Sequence, residues 1–315
     1  MVDNNNWQDT ALQEVLLESV KEQRRRRRWG IFFKLTYLIV IILAIYNLFY
    51  SSDDGTTLRN QPHTALIDIS GTIMAGGDAD ADRIATSLNH AFEDKGTKGI
   101  ILRINSPGGS PVQSDYVYNE INRLKKLHPN IKVYAVCSDI CASGAYYMAS
   151  AADEIYADPG SLVGSIGVVM DGFGFVDTMK KLGITRRQFT AGDHKGFLDP
   201  FQPIKPDEQK DVQVMLDTLH QQFINAVKEG RGNRLKNDPD LFSGMIWTGT
   251  QAKALGLVDG FGSSGYVARN VIKEDKIIDY TLKPNYFERL AGRIGASAGD
   301  RLVQDLGLQE NLAVR

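Results

Sequence analysis

The 315-residue chain is poor in residues that bind metals, with two cysteines and five histidines. The histidines form no His-x-x-x-His pair and no cluster with carboxylates, so the usual zinc patterns are missing. The sequence also contains neither a Walker loop nor a dinucleotide-binding loop. We therefore expect no metal and no organic cofactor.

The two cysteines, Cys137 and Cys141, lie only four residues apart. An oxidising compartment would allow a disulfide between them. One ends a predicted strand, however, and the other lies in the following turn, which disfavours the geometry of a bridge. We expect free, buried thiols.

The body of the chain has no basic stripe. Residues 1–50 hold 7 of the 36 Lys and Arg residues and 5 of the 38 Asp and Glu residues, which leaves 29 basic and 33 acidic residues beyond them. A mildly acidic body of this kind argues against nucleic acid as a partner.

One long apolar run is present, and it follows a basic cluster, Arg24–Arg28. Residues 29–50 are apolar apart from Lys34, Thr36 and Asn47 and, as a helix, would span roughly 33 Å, enough for a bilayer. No Ala-x-Ala cleavage site follows, so the pattern predicts an uncleaved anchor. The arginines predict a cytoplasmic N-terminus, and the rest of the chain after the anchor should then lie on the opposite side of the membrane.

These patterns divide the chain into five segments. We predict a cytoplasmic N-terminal segment (1–28), a transmembrane anchor (29–50), a tether (51–62), a catalytic domain (63–283) and a peripheral C-terminal segment (284–315).

Apolar runs typical of strands alternate with helical patterns in the predicted catalytic domain, which indicates an α/β fold with parallel strands. The predicted strands are Ala65–Ile69, Gly99–Ile104, Ile131–Cys137, Glu154–Ala157 and Val168–Val169. The predicted helices are Ala81–Phe92, Val112–Leu127, one that opens at Ser143, Pro206–Gly230 and Thr250–Leu255.

The clearest helix is Pro206–Gly230, which has proline in its first turn and glycine at its end. Its apolar stripe predicts core packing, and the stripe consists of Val212, Met215, Leu216, Leu219, Phe223 and Val227.

Ser143 follows a predicted strand and stands at the mouth of a buried helix. Serine at this position is typical of an N-cap, but the free N–H groups of a helix start also suit a nucleophile that needs a stabilised oxyanion. The window is not the Gly-x-Ser-x-Gly elbow, because Cys141 and Ala145 replace the glycines. Both interpretations stay open from this window alone.

A nucleophilic serine needs a base, and His194 and Lys195 are neighbouring candidates. A catalytic lysine must lose its proton near neutral pH, which burial among apolar side chains favours. The flanking residues that would supply such surroundings are Phe189, Phe197, Leu198 and Phe201.

A series of motifs resembles the bacterial signal peptide peptidase A family. It comprises Asn-Ser-Pro-Gly-Gly at 105–109, Cys-Ala-Ser-Gly-Ala-Tyr-Tyr at 141–147, Ala-Ala-Asp at 151–153, Leu-Val-Gly-Ser-Ile-Gly-Val at 162–168, Lys-Gly at 195–196 and the 248–259 stretch that ends in Gly-Leu-Val-Asp. The resemblance covers about residues 64–275 and is to the short, single-domain form. It implies the ClpP/crotonase fold, with stacked parallel sheets of ββα units.

The resemblance also implies roles for individual residues. Ser143 would be the nucleophile and Lys195 the general base, while the hydroxyl of Ser165 would hold the lysine amine. The N–H groups of Gly109 and Gly144 would bind the oxyanion. The family's usual second glycine after the serine is Ala145 here, and His194 receives no role.

The function implied is that of a membrane-anchored serine endopeptidase that degrades cleaved signal peptides and other membrane-derived peptides. By the same resemblance it would lie in the bacterial cytoplasmic membrane, with the lipid bilayer around residues 29–50. It would form a homo-oligomer, a closed ring of eight copies. Two alternatives stay open: a non-catalytic membrane scaffold or chaperone of the same fold, and a crotonase-type acyl-CoA enzyme.

Overall fold

The computed structural model describes residues 21, 24–43 and 61–283, which fall into two compact units that divide between Leu58 and Arg59. In the first unit, residues 24–43 form a helix, α1. Within the described parts of the chain, no helix is both long and apolar enough to cross a membrane. The predicted anchor is helical over 29–43, while 44–50, most of the tether (51–60) and the C-terminal segment (284–315) lie outside the described residues.

The second unit is built on one eight-stranded sheet. Its strands are β1 (His63–Ser70), β2 (Thr97–Ser106), β3 (Lys132–Ala142), β4 (Glu154–Ala157), β5 (Leu162–Gly164), β6 (Ile246–Thr248), β7 (Gly260–Phe261) and β8 (Ile277–Asp279). They run in the order β6-β5-β3-β2-β1-β8, while β4 pairs with β3 and β7. Among these strands, only β5 and β6 pair antiparallel. The α/β class with a mainly parallel sheet is confirmed, and it fits the ClpP/crotonase-like fold.

The continuous apolar run of β2 is explained by burial on both faces of the sheet. Ile100, Leu102 and Ile104 enter the main core, and Ile101 enters a smaller core on the other face. A helical turn over 264–272 covers that second face with Val267.

The helices of this unit connect successive strands, and all but α5 bury residues against the main core. They are α2 (Ala81–Glu93), α3 (Pro111–Leu127), α4 (Gly144–Ala149), α5 (Val176–Lys181), α6 (Pro206–Arg231) and α7 (Gly249–Ala254). All six residues of α4 are buried, because this short helix is enclosed between the sheet, α3 and α6.

The end of α6 is fixed to the sheet by a buried ion pair. The side chain of Arg231 is fully buried and donates from Nη1 to Asp259 Oδ2 at 2.7 Å and from Nη2 to Oδ1 at 2.8 Å. Asp259 also accepts the N–H of Ile155 at 2.7 Å, which joins the helix end to β4.

Strand β3 is longer than predicted and pairs with both β4 and β5. Its first half pairs with β4, and its last residues pair with β5 in the register Ile140–Leu162, Cys141–Val163 and Ala142–Gly164. Residues 162–164 of the glycine-rich stretch, which were not among the predicted strands, therefore form a strand. The strand predicted at Val168–Val169 was wrong, since these residues are irregular.

Residues 168–205, which we call the outer segment, differ from the rest of this unit. Every residue in this segment is exposed or half-buried, and its only helix is α5. Its large apolar side chains are uncovered, with Phe189 94% exposed, Val169 83% and Phe173 79%.

The stripe on α6 was predicted as core along its whole length, and this is only half correct. Phe223 and Val227 are buried, whereas Met215 is 43% exposed. The stripe leaves the core toward its N-terminus because the outer segment, which precedes α6, does not cover it. The helix also ends one residue later than predicted, at Arg231, and the φ of 53° at the following Gly232 suits glycine.

Candidate active site

Ser143 lies between the end of β3 and the start of α4 in a strained backbone conformation. Its φ is 53° and its ψ is −127°, a region that a non-glycine residue enters at a cost of about 1–3 kcal/mol. Its side chain makes no capping hydrogen bond. The N-cap interpretation is therefore wrong, and the hydroxyl stays available for another role.

The loop after β2 brings two glycines against Ser143. Gly108 has a φ of +100°, and a Cβ added to it would lie 2.7 Å from Ser143 Cβ and 2.8 Å from the Gly144 nitrogen. The bridge from Ile73 holds this loop, since its N–H donates to the Gly108 carbonyl at 2.9 Å and its carbonyl accepts from Ser110. Only glycine can make so close an approach.

The backbones of Gly109 and Gly144 lie close together at this point. A Cβ on Gly144 would lie 3.4 Å from the Gly109 nitrogen. Within the described part of the chain, neither N–H donates a hydrogen bond to a protein acceptor. Two neighbouring N–H groups without acceptors suit a developing oxyanion.

Ser165 is placed beside Ser143 by the pairing of β3 with β5. Since Ala142 is the partner of Gly164, the two serines leave the same edge of the sheet, and the Ser143 N–H donates to the Gly164 carbonyl at 2.8 Å. Ser165 has a φ of 51°, and its own N–H donates to Met245 at 2.7 Å. Its loop is thus fixed by the backbone, and its hydroxyl borders the same cavity as Ser143.

A cavity of about 370 Å³ contains both serines and both candidate oxyanion glycines. Its walls come from the start of α3, from α4, from the middle of α6 and from the loops at 165–169 and 243–244. The sequence-based site residues that meet here are Ser143, Ser165, Gly109 and Gly144.

Lys195 does not line this cavity in the single chain. It lies with His194 on the outer segment, and both residues are exposed. The apolar surroundings expected for the lysine are absent from this part of the described chain: Phe189 is 94% exposed and Phe201 41%. The outer segment has no core of its own, so nothing among the described residues of one chain buries the lysine.

Sequence reasoning missed two cavity residues, Asp115 and Tyr147. The Tyr147 hydroxyl donates to Asp115 Oδ1 at 2.9 Å, and its ring packs on Phe223 with centroids 4.9 Å apart. Asp115 follows Val112 at the i+3 spacing of one helix face. This spacing was the sequence signal that could have placed the two residues on the same side of the predicted helix. Tyr147 was named only as the last residue of the 141–147 motif.

The cysteines and acidic residues add no metal chemistry. Within the described residues, no group of three or more His, Cys, Asp or Glu side chains could hold a metal ion. Cys137 and Cys141 are free and buried, as predicted. Burial, together with a hydrogen bond that the protonated thiol makes to Cys137, raises the pKa of Cys141, so this thiol is a poor nucleophile.

One family model and a number of known proteins match the chain, three of which illustrate the range. The model, described as peptidase family S49, matches residues 125–277. The chain is 45% identical over 202 residues to a Brucella melitensis protein named Na(+)/H(+) antiporter NhaA, a match that covers 62% of this chain and 27% of that protein. It is 29% identical over 287 residues to an Enterococcus faecium protein provisionally named signal peptide peptidase SppA, with 87% of this chain and 83% of the relative covered. It is 31% identical over 255 residues to a provisionally named protease of Synechocystis, with 79% and 89% covered.

Proposed function

Because the chain belongs to peptidase family S49, we propose that it is a serine peptidase with Ser143 as its nucleophile. The observation that carries the proposal is the meeting of three features in one cavity. These are an uncapped serine in a strained backbone conformation, two neighbouring N–H groups without acceptors, and a second serine on the adjacent loop. Strain of this kind persists where a function depends on the direction of a side chain.

In the proposed reaction, the neutral amine of Lys195 takes the proton of Ser143 as the Oγ attacks the peptide carbonyl carbon. The N–H groups of Gly109 and Gly144 then hold the oxyanion of the tetrahedral intermediate. As the intermediate collapses, the ammonium returns its proton to the leaving amine and an acyl-enzyme remains. The amine next activates water, which releases the acid and restores Ser143. The Ser165 hydroxyl orients the lysine by a hydrogen bond.

Lys195 would have to reach the cavity from outside the single chain, and a second copy of the protein is the simplest source. The outer segment leaves directly from the rim of the cavity, where Val168 and Val169 lie. Its apolar side chains are exposed, as expected of a surface that a partner covers. If a neighbouring copy docks at this rim, the contact would bury the outer segment of one copy and place its Lys195 in the cavity of the other.

Such contacts are head-to-tail, because the patch on one copy meets a different patch on the next. Contacts of this type either close into rings or extend into filaments. We propose a closed ring of eight copies, the number that the family resemblance implies. Cavities that open into such a ring would admit extended peptides and exclude folded proteins. Cleaved signal peptides and other membrane-derived peptides are the substrates we propose.

The experiment mixes two inactive variants. Ser143→Ala and Lys195→Ala should each lower kcat/KM on a short apolar peptide by about 10⁴-fold while the folded state persists. If neighbours supply the lysine, dissociating and reassembling the two variants together should restore activity at roughly a quarter of the sites in a random mixture. A lysine from the same chain would give no recovery.

The matched control is His194→Ala, which should keep its activity because the proposed reaction does not use the imidazole. Lys195→Ala with near-normal turnover would refute the dyad, whereas Ser143→Ala with near-normal turnover would refute the serine mechanism altogether.

We also propose that residues 29–50 anchor the protein in the bacterial cytoplasmic membrane, with residues 1–28 in the cytoplasm. The support is the sequence pattern of five arginines before an apolar run. Protease added to spheroplasts should then cut sites beyond residue 51. Full protection of residues 61–283 would contradict this placement.

A further inference from the structure

Asp115 is the one charged side chain among the described residues that line the Ser143 cavity. The other polar side chains there are neutral: the hydroxyls of Ser143, Ser165, Ser243 and Tyr147, and the amide of Gln222. A peptide bound against Ser143 would therefore meet a single carboxylate in otherwise neutral surroundings. A carboxylate in a mostly apolar pocket fixes which ligand groups fit beside it.

The carboxylate is held in a defined orientation. Oδ1 accepts the Tyr147 hydroxyl at 2.9 Å and Oδ2 accepts the side-chain amide of Asn119 at 2.9 Å. Each carboxylate oxygen can accept two hydrogen bonds, so both oxygens keep acceptor capacity after these two contacts. Asp115 is half-buried, which leaves part of the carboxylate open to a ligand.

The hydrogen bond between Tyr147 and Asp115 runs in one direction only, from the tyrosine hydroxyl to the carboxylate. Burial, then the hydrogen bond to Asp115 and its charge, raise the pKa of Tyr147, so the hydroxyl keeps its proton and donates it. The ring of Tyr118 meets the ring of Tyr147 edge-on, with centroids 5.3 Å apart, and holds it from the other side. Asp115 is consequently an acceptor toward both the tyrosine and any ligand.

Apolar side chains share the cavity with Ser143 and this carboxylate. Val112, Leu219 and Phe223 line it as well. Helix α3 begins at Pro111, directly after the loop of Gly109, and rises about 6 Å from there to Asp115. A substrate side chain that extends from the cleaved bond toward the carboxylate would therefore have apolar surface to pack on.

Lysine and arginine have this shape, since each carries a charged head on an apolar stem of three or four methylenes. We propose that Asp115 is a specificity-determining residue that selects peptides with a basic side chain next to the cleaved bond. The stem packs on the apolar walls and the head donates to the free acceptor positions of the carboxylate. This inference rests on the proposed peptidase function and narrows its substrates to peptides that join basic and apolar residues. Removed signal peptides, with a basic segment before an apolar one, have that composition.

The test compares peptides that differ at a single position. Lysine, norleucine or glutamate is placed at one position at a time on either side of the cleaved bond in a quenched fluorescent peptide. At the position that reaches Asp115, the full-length enzyme should favour lysine over norleucine by about 10-fold or more and should reject glutamate. Asp115→Asn should lower kcat/KM for the lysine peptide by about 10- to 100-fold, change the norleucine peptide by less than about 3-fold, and improve the glutamate peptide.

Two variants serve as controls. Asp139→Asn removes a carboxylate from a second cavity, lined also by Arg103 and Ser161, and should leave the preference unchanged. Tyr147→Phe removes the hydroxyl but keeps the Asp115 charge, so the preference for lysine should persist even if turnover falls. An equal loss on all three peptides in Asp115→Asn would overturn the inference, because it would show a purely structural role.

A binding measurement separates this inference from the proposed function. Fluorescence anisotropy with Ser143→Ala compares the same peptides without cleavage, and the lysine peptide should bind more tightly by about 10-fold, a difference lost in the Ser143→Ala, Asp115→Asn double variant. Equal binding of the lysine and norleucine peptides would overturn the role of Asp115. An enzyme that binds with this preference but cleaves no peptide would instead overturn the proposed function.

Discussion

Apolar side chains are covered in the region that carries Ser143 and uncovered in the outer segment that carries Lys195. Tyr146 and Met148, which follow the serine in α4, have no exposed surface, whereas Phe173 and Phe189 are 79% and 94% exposed. The packing of one chain therefore fixes Ser143, Gly109 and Gly144, the proposed nucleophile and oxyanion donors. The position of the lysine depends on whatever covers the outer segment.

This difference has an energetic consequence. Full burial of a phenylalanine side chain contributes about 1.5–3 kcal/mol, and the outer segment offers several such side chains to a partner. The same side chains contribute little to the stability of the single chain, because they lie in water before and after unfolding. Folding and assembly should thus respond to different substitutions.

The largest effect should come from a matched pair of substitutions that separates the two regions. Phe92→Ala empties a core position that is 2% exposed and should lower the free energy of unfolding by about 3–5 kcal/mol. Phe189→Ala should change it by no more than about 0.5 kcal/mol, but should weaken association and with it peptidase activity. Urea unfolding of residues 55–315, combined with light scattering, measures both properties.

The opposite result would contradict the distinction between the packed region and the outer segment. A Phe189→Ala protein that unfolds several kcal/mol more easily while it stays fully assembled would show that the outer segment belongs to the core of one chain.

The contrast also explains how far sequence patterns could predict the fold. The continuous apolar run at Gly99–Ile104 corresponds closely to β2, and the helical pattern at Ala81–Phe92 corresponds closely to α2. Both predictions succeed because the two faces of β2 and the apolar stripe of α2 are buried by the same chain. The stripe of α6 was predicted as core throughout, yet Met215 is exposed. A periodic pattern shows that a face is apolar, but it cannot show whether the same chain covers it.

The site divides in the same way. The positions of Ser143, Gly109 and Gly144 could be predicted because their motifs impose backbone geometry on a short stretch of chain. Asp115 could not, because its role depends on the approach of Tyr147 from another helix. Lys195 stays a prediction, since it does not line the cavity that holds Ser143, although its segment begins at the rim of that cavity.

A smaller effect is expected from the ion pair at the end of α6. Burial alone raises the pKa of Asp259, but the hydrogen bonds and charge of Arg231 outweigh it, so that this pKa lies below its ordinary value. Asp259→Asn leaves the buried guanidinium unpaired and should cost about 3 kcal/mol, the low end for a buried pair because the Asp259 side chain is 19% exposed.

The pH dependence of this pair has a definite sign. A carboxyl group with a lowered pKa in the folded state stabilises the protein above its unfolded pKa of about 3.9, and this contribution disappears as the pH falls through the folded pKa. Asp259→Asn should therefore flatten the acid side of the stability curve measured by urea unfolding. An unchanged acid slope would show that other carboxylates determine it.

The smallest predicted effect lies inside the packed region, at Ala145. Its methyl group is fully buried in α4 and does not line the cavity. Ala145→Gly should cost about 1 kcal/mol in backbone entropy and lost packing and lower the melting temperature by about 2–4 °C. The Ala91→Gly control in α2 should show the same loss, because Ala91 is also fully buried but lies away from the site. Both variants should retain kcat/KM within about twofold, since neither methyl group touches the N–H groups of Gly109 and Gly144. A tenfold change in Ala145→Gly alone would mean that this residue sets the direction of the Gly144 N–H, and that α4 positions the oxyanion donors as well as burying its own side chains.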